Sequence, residues 1–237
     1  MEIETSSVEP YLRIFTIYLA EQRYESAEAV LKEALGKNIS DAVLYAGLGY
    51  LASRKAEYEK SVEYYSLAVE KEPENDKYWF YLAAAMDKAG RRKEAMDILE
   101  EITAKGTEFP EIYNYLGYMY AEEGKDLDKA LTMIRKALEI EPENGAYLDS
   151  LGWAYYKKGM LEEAEEQIKK ALEFLPDDPV VREHMGDVYV ARGLFEQARD
   201  EWARVLTINP GNRGIREKLE ALNELLELKN EGVTKKE

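Results

Sequence analysis

The chain has 237 residues, 46% of them hydrophobic, enough for a sizeable packed core. Its 32 basic and 48 acidic residues leave a net charge of −16, a field that repels phosphate backbones and anionic membrane surfaces and speaks against nucleic acid as a partner. The absence of cysteine removes disulfides, thiolate zinc sites and thiol nucleophiles, and no apolar run approaches the ~20 residues of a membrane-spanning helix.

The opening MEIETSSVEPYLRIF has no positive segment followed by an apolar one, so no secretory signal is read in it. The expectation is a soluble chain, cytoplasmic as given, or of a bacterial periplasm or envelope if a signal has been removed. From residue 8 onward the sequence repeats. The clearest copies are YLGYMYAEEGKDLDKALTMIRKALEIEPEN, YLDSLGWAYYKKGMLEEAEEQIKKALEFLPDD and EHMGDVYVARGLFEQARDEWARVLTINPGN. Stepping through the chain in the same phase predicts helical hairpins over 8–41, 42–75, 76–109, 110–144, 145–178 and 179–212, each of 34 residues except the fourth, which has 35.

The first hairpin is the least typical, with Phe15 where a small residue is expected, Gln22 at the turn and Ile39 where others carry proline. It reads either as an N-terminal cap or as one repeat of a longer array. Position four of successive copies holds Tyr11, Tyr45, Trp79, Tyr113, Leu148 and Arg182; position seven holds Ile14, Leu48, Leu82, Leu116, Leu151 and Met185. Position eight is small in five of six (Gly49, Ala83, Gly117, Gly152, Gly186), as a close approach of two helices requires. On the second helices, Ala27, Ser61, Ala95, Ala130, Ala164 and Ala198 each precede a large residue by one turn, an amphipathic helical period rather than a strand's. Gly90, Gly124, Gly159 and Gly193 fall where a first helix must end, Pro73, Pro142, Pro176 and Pro210 where a second one does, and Asn75, Asn144, Asp178 and Asn212 follow as N-caps. After the sixth copy, residues 213–229 read as a capping helix with Ile215, Leu219, Leu222 and Leu226 on one stripe, and 230–237 as a disordered tail.

This pattern of an aromatic, Leu-Gly, Tyr, Ala and Pro at fixed offsets, in six consecutive copies, resembles the tetratricopeptide repeat family. The resemblance implies an all-α fold, a right-handed α-solenoid of six helical hairpins plus the C-terminal capping helix, whose concave face is lined by the first helix of each hairpin. The groove positions of the middle repeats hold Tyr50, Arg54, Phe80, Tyr81, Asn114, Tyr115, Tyr118, Asp149, Ser150, Trp153, Tyr156 and Lys157. An aromatic-rich groove of this kind suits a peptide or protein segment, basic or apolar in character, because Tyr and Trp bury large areas at small entropic cost. Several of the same rings are also candidates for packing between helices. The carboxylate clamp of tetratricopeptide co-chaperones is disfavoured, since its places hold Leu12, Thr16, Gly47, Lys77 and Tyr81 and only the lysine fits. Asp149, Ser150, Leu151, Gly152, Trp153, His184, Gly186 and Trp202 are similar to the C-terminal repeats of bacterial tetratricopeptide adaptor and lipoprotein-type proteins.

Chemistry is sparse. The single histidine, His184, lies one repeat from Asp149 and Ser150, yet no nucleophile elbow or oxyanion loop accompanies them. The acidic run Glu162, Glu163, Glu165, Glu166 reads as a solvated helix face, Asp126 to Asp128 lacks the rest of a calcium loop, and no GxxxxGK segment occurs. The expectation is a non-catalytic adaptor without cofactor or metal. The alternative is a structural or self-associating solenoid, with the C-terminal helix as a homo-oligomer seam.

Overall fold

The computed structural model describes residues 7–234, with side chains through Glu227. The described residues form thirteen helices and no strand: α1 (Glu9–Ala20), α2 (Tyr24–Gly36), α3 (Ala42–Arg54), α4 (Tyr58–Lys71), α5 (Asp76–Lys88), α6 (Arg92–Lys105), α7 (Pro110–Glu123), α8 (Leu127–Ile140), α9 (Gly145–Lys157), α10 (Leu161–Phe174), α11 (Pro179–Ala191), α12 (Phe195–Ile208) and α13 (Arg213–Thr234). They make six hairpins and a last single helix, the all-α solenoid that the repeat pattern implies. The chain divides into two compact units, residues 1–109 and 110–237.

Turn chemistry explains the helix limits. Asp41, Asn75, Asn144 and Asp178 each accept a backbone N–H of the first turn that follows, and Asn212 accepts that of Ile215. Inside the hairpins the first helix ends on a residue with left-handed backbone, and in all but the fourth hairpin the next N–H bonds back to a carbonyl five residues earlier, as Arg91 does to Met86. Glycine takes that place at Gly90, Gly124, Gly159 and Gly193; Gln22 and Ala56 take it at φ 56° and 57° and carry the extra steric cost of a Cβ there.

In the first unit, Ala27, Leu31 and Ala34 of α2 form one buried cluster with Leu44, Leu48 and Leu51 of α3. No residue of α1 is buried, and Ile14, at the apolar seventh repeat position, is 42% exposed. In the second unit, α10, α11 and α12 share a core with Ile215, Leu219 and Leu222 of α13. Arg182, the one polar residue at repeat position four, is neutralised by Glu201 at 2.6 Å in a nearly buried pair. Lys218 pins α13 to α11, reaching Glu183 at 2.9 Å and Asp187 at 2.7 Å. Burial pushes the Asp187 carboxyl up; it opposes the charge of Lys218 too, but two facing carboxylates outweigh it and raise the ammonium. The backbone of α13 is helical to Thr234, into the segment expected to be disordered, because no proline interrupts its i→i−4 hydrogen bonds before then; residues 235–237 lie outside the described residues. Among the described residues, no helix is long and apolar enough to cross a membrane.

Candidate functional site

The candidate groove residues fall into two groups, one in each unit. On α3 and α5, Tyr50 and Tyr81 are exposed, at 42% and 39%. They face an open apolar pocket of about 480 Å³ whose remaining walls come from Phe15 and Leu19 of α1, Ala46, Gly47 and Ser53 of α3, Tyr65 of α4, and Ala84 and Ala85 of α5. Small residues create the space. A Cβ at Gly47 would already lie 2.8 Å from Leu31 Cδ1 and 3.3 Å from Phe15 Cζ, so Phe15 closes one end against bare backbone. Tyr65 supports the other end, its ring 5.5 Å from that of Tyr81, and burial raises its phenol pKa, keeping it neutral. Phe80 turns aside to pack edge-on against Phe109 at 5.6 Å, and Arg54 donates to the Tyr24 hydroxyl at 3.4 Å at the outer surface.

In the second unit, three candidates expected on the binding surface are buried and satisfied internally. Both carboxylate oxygens of Asp149 lie within hydrogen-bond distance of His184 Nδ1, at 3.0 and 2.9 Å. Ser150 Oγ donates to the Ala146 carbonyl at 3.0 Å, so its proton is committed to the backbone of its own helix and not to a nucleophile–base–acid relay. Trp153 stacks on His184 at 4.1 Å and on Tyr156 at 4.8 Å, and donates Nε1–H to Glu122 at 2.6 Å. Lys157 lies over the Trp153 ring at 4.9 Å and pairs with Glu122 at 3.5 Å. This column packs α9 against α11, which is why those residue types occur at groove positions. Tyr115 and Tyr118 are half-buried on α7. Asn114, also half-buried, has a buried Oδ1 without a hydrogen-bond partner.

The pocket's floor escaped the sequence reading, which followed large side chains in the middle repeats. Ala46, Gly47 and Ala84 occupy groove positions too, and three small residues between flanking aromatics are the signal that marks a cavity. Another opening, about 600 Å³, lies at the inter-hairpin loops, where Pro73 and Phe109 line it together with Glu72, Glu74, Asp76, Lys77 and Glu108.

Sequence profiles of tetratricopeptide repeats match residues 12–76 and 121–183, together more than half of the chain. The chain belongs to the tetratricopeptide repeat family. This tetratricopeptide protein is 40% identical over 52 residues to a repeat-containing protein of Pseudomonas aeruginosa, which covers 22% of this chain and 9% of that one. It is 27% identical over 141 residues to the human protein O-mannosyl-transferase TMTC1, covering 60% of this chain and 15% of that one. It therefore spans a small fraction of either curated relative. Its fold matches that of the APC/C hetero-tetramer Cut9–Hcn1 with a TM-score of 0.82 at 18% identity, over 92% of this chain and 43% of that one. It matches PilW, a type IV pilus biogenesis factor, with a TM-score of 0.77 at 16% identity, over 92% of this chain and 100% of that one. YrrB, described as a tetratricopeptide protein with an unusual peptide-binding site, matches with a TM-score of 0.55 at 21% identity, over 80% of this chain and 97% of that one. Folds of this family generally mediate protein–protein interactions and are typically non-catalytic.

Proposed function

We propose that the chain is an interaction scaffold that holds a segment of another protein by seating one apolar side chain in the pocket between α1, α3 and α5. The observation that carries this reading is a cavity of about 480 Å³, lined by apolar and small side chains and flanked by two exposed tyrosines, on the helices that face the groove in this family. Desolvating an aliphatic or aromatic side chain there supplies about 1.5–3 kcal/mol. The exposed Tyr50 and Tyr81 each offer a hydroxyl for hydrogen bonds to the segment's backbone. The walls stand on helices already packed into the repeat stack, so little ordering opposes capture. The net charge of −16 favours a segment whose flanks are basic. The peptide-binding neighbour YrrB lends support by fold alone.

Selection from a displayed peptide library tests the reading. Selected peptides should share one large apolar anchor, and Ala84→Trp, which fills the cavity, should weaken their binding about tenfold or more, a loss of about 1.4 kcal/mol. Asp149→Asn, on the buried column of the second unit, should leave their affinity unchanged. Peptides that bind folded Ala84→Trp as tightly as wild type would remove the pocket from the function.

A further inference from the structure

The end helices α1 and α13 carry the same docking stripe in the same register. In α3, the third, seventh and tenth repeat positions, Leu44, Leu48 and Leu51, are buried against Ala27, Leu31 and Ala34 of α2. In α13 those positions are Ile215, Leu219 and Leu222, buried in the cluster that contains Ala198, Trp202 and Val205 of α12, the equivalents of the α2 residues. Thus α13 sits where the first helix of a following hairpin would sit. In α1 the three positions are Pro10, Ile14 and Ile17; Pro10 is exposed, and the isoleucines are 42% and 56% exposed.

Charge follows the same register. Lys218 precedes Leu219 and meets Glu183 at 2.9 Å and Asp187 at 2.7 Å, with its ammonium 5.5 Å from the Trp202 ring. Arg13 precedes Ile14 in α1, its side chain 77% exposed and held to Glu9 of its own helix at 3.3 Å. The corresponding residues in α3, α5, α7, α9 and α11 are Gly47, Tyr81, Tyr115, Ser150 and His184, so among these helices Arg and Lys stand at this place in the two end helices alone. A guanidinium can make both contacts that Lys218 makes, pairing with carboxylates and stacking on an indole.

We propose that the seat of α13 on α11 and α12 is also the seat for α1 of a second copy of this chain, and that α13 is a removable plug which holds the chain back from head-to-tail assembly. Arg13 of the incoming copy takes the place of Lys218 against Glu183 and Asp187, and Ile14 and Ile17 take those of Leu219 and Leu222. The contact is heterologous, joining the tail of one copy to the head of the next, so association does not stop at a dimer. A tethered α13 competes at an effective concentration on the order of millimolar, which keeps this chain monomeric when dilute.

The test uses the full chain. Leu219→Asp/Leu222→Asp places two carboxylates in the buried seam and should eject α13. In sedimentation velocity the wild type should run at monomer mass, while this variant's average mass should at least double as concentration rises. Adding Ile14→Glu and Ile17→Glu should return it to monomer mass. If hydrogen exchange shows α13 released and the variant stays monomeric, some other surface, such as a preceding hairpin or a foreign partner, belongs on α1 and the proposal fails. It fails too if association survives the two glutamates. A second measurement needs no buried aspartate: because the chain has no cysteine, Arg13→Cys and Glu183→Cys copies, each with Lys218→Ala, can be mixed under mild oxidation. Disulfide-linked heterodimer should form where neither variant alone gives homodimer; no heterodimer, or equal homodimer, overturns the assignment.

Discussion

A Cβ at Gly152 would sit 2.4 Å from Ile168 Cγ1 and 3.0 Å from the Ala164 carbonyl oxygen, both on the facing helix of its hairpin. Ile168 is fully buried, so it has nowhere to retreat. Gly152→Leu should therefore lower stability by about 1–3 kcal/mol, read as a drop in melting temperature. An unchanged melting temperature would mean that α9 and α10 do not meet through this residue. Gly186 answers to Trp202 in the same way, with a Cβ–Nε1 distance of 2.2 Å, and an indole in place of isoleucine shows that the facing side chain varies while the missing Cβ does not. These contacts were legible in the spacing of the repeats. The Asp149–His184–Trp153–Tyr156 column was not, because an aromatic at a groove position has the same sequence signature whether its ring stacks on a neighbour or waits for a ligand.

Between elements, Glu28 of α2 accepts from Lys32 at 2.5 Å and from Lys55, just past α3, at 2.6 Å, tying two hairpins of the first unit together. Those hydrogen bonds hold its carboxyl at about 2, below the ordinary 4.5. A depressed carboxylate stabilises the fold fully above its unfolded value and loses that contribution as pH falls through the folded one. Glu28→Gln should thus cost about 1 kcal/mol at neutral pH, given the partial exposure of the site. The deficit relative to wild type should shrink between pH 4.5 and about 2, and denaturant titrations across that range read it directly. A deficit independent of pH would assign the effect to packing instead. The caps behave as local sequence dictates, at Asn75, Asn144 and Asp178 alike, since an N-cap needs only its own next two or three residues. The turns at Gln22 and Ala56 show the limit of that logic: the hairpin imposes left-handed backbone on residues that would not choose it.

At the scale of the whole molecule, helix pairs within each unit rest on their neighbours along the chain, so stability is a sum of local terms. Leu48→Ala, in the buried α2–α3 cluster, should cost about 2–5 kcal/mol. Hydrogen exchange should accelerate in α2, α3 and α4 and change little in α10, α11 and α12. Uniform acceleration across both units would show one cooperative transition and overturn the nearest-neighbour picture.

Periodicity alone determined the fold class and the family, because close helix contacts demand small residues at a constant interval and six copies leave little room for another reading. It also marked most of the caps and turns, whose causes are local. Only the tertiary structure decided which groove positions are open. Tyr50 and Tyr81 flank a cavity because Ala46, Gly47 and Ala84 lie beside it, whereas Asp149, Ser150 and Trp153 are consumed by partners 31 and 35 residues away or by their own helix. The exposure of Ile14 and Ile17 was equally invisible in the one-dimensional pattern. A repeat position states which face a residue occupies, and burial depends on whether something stands against that face.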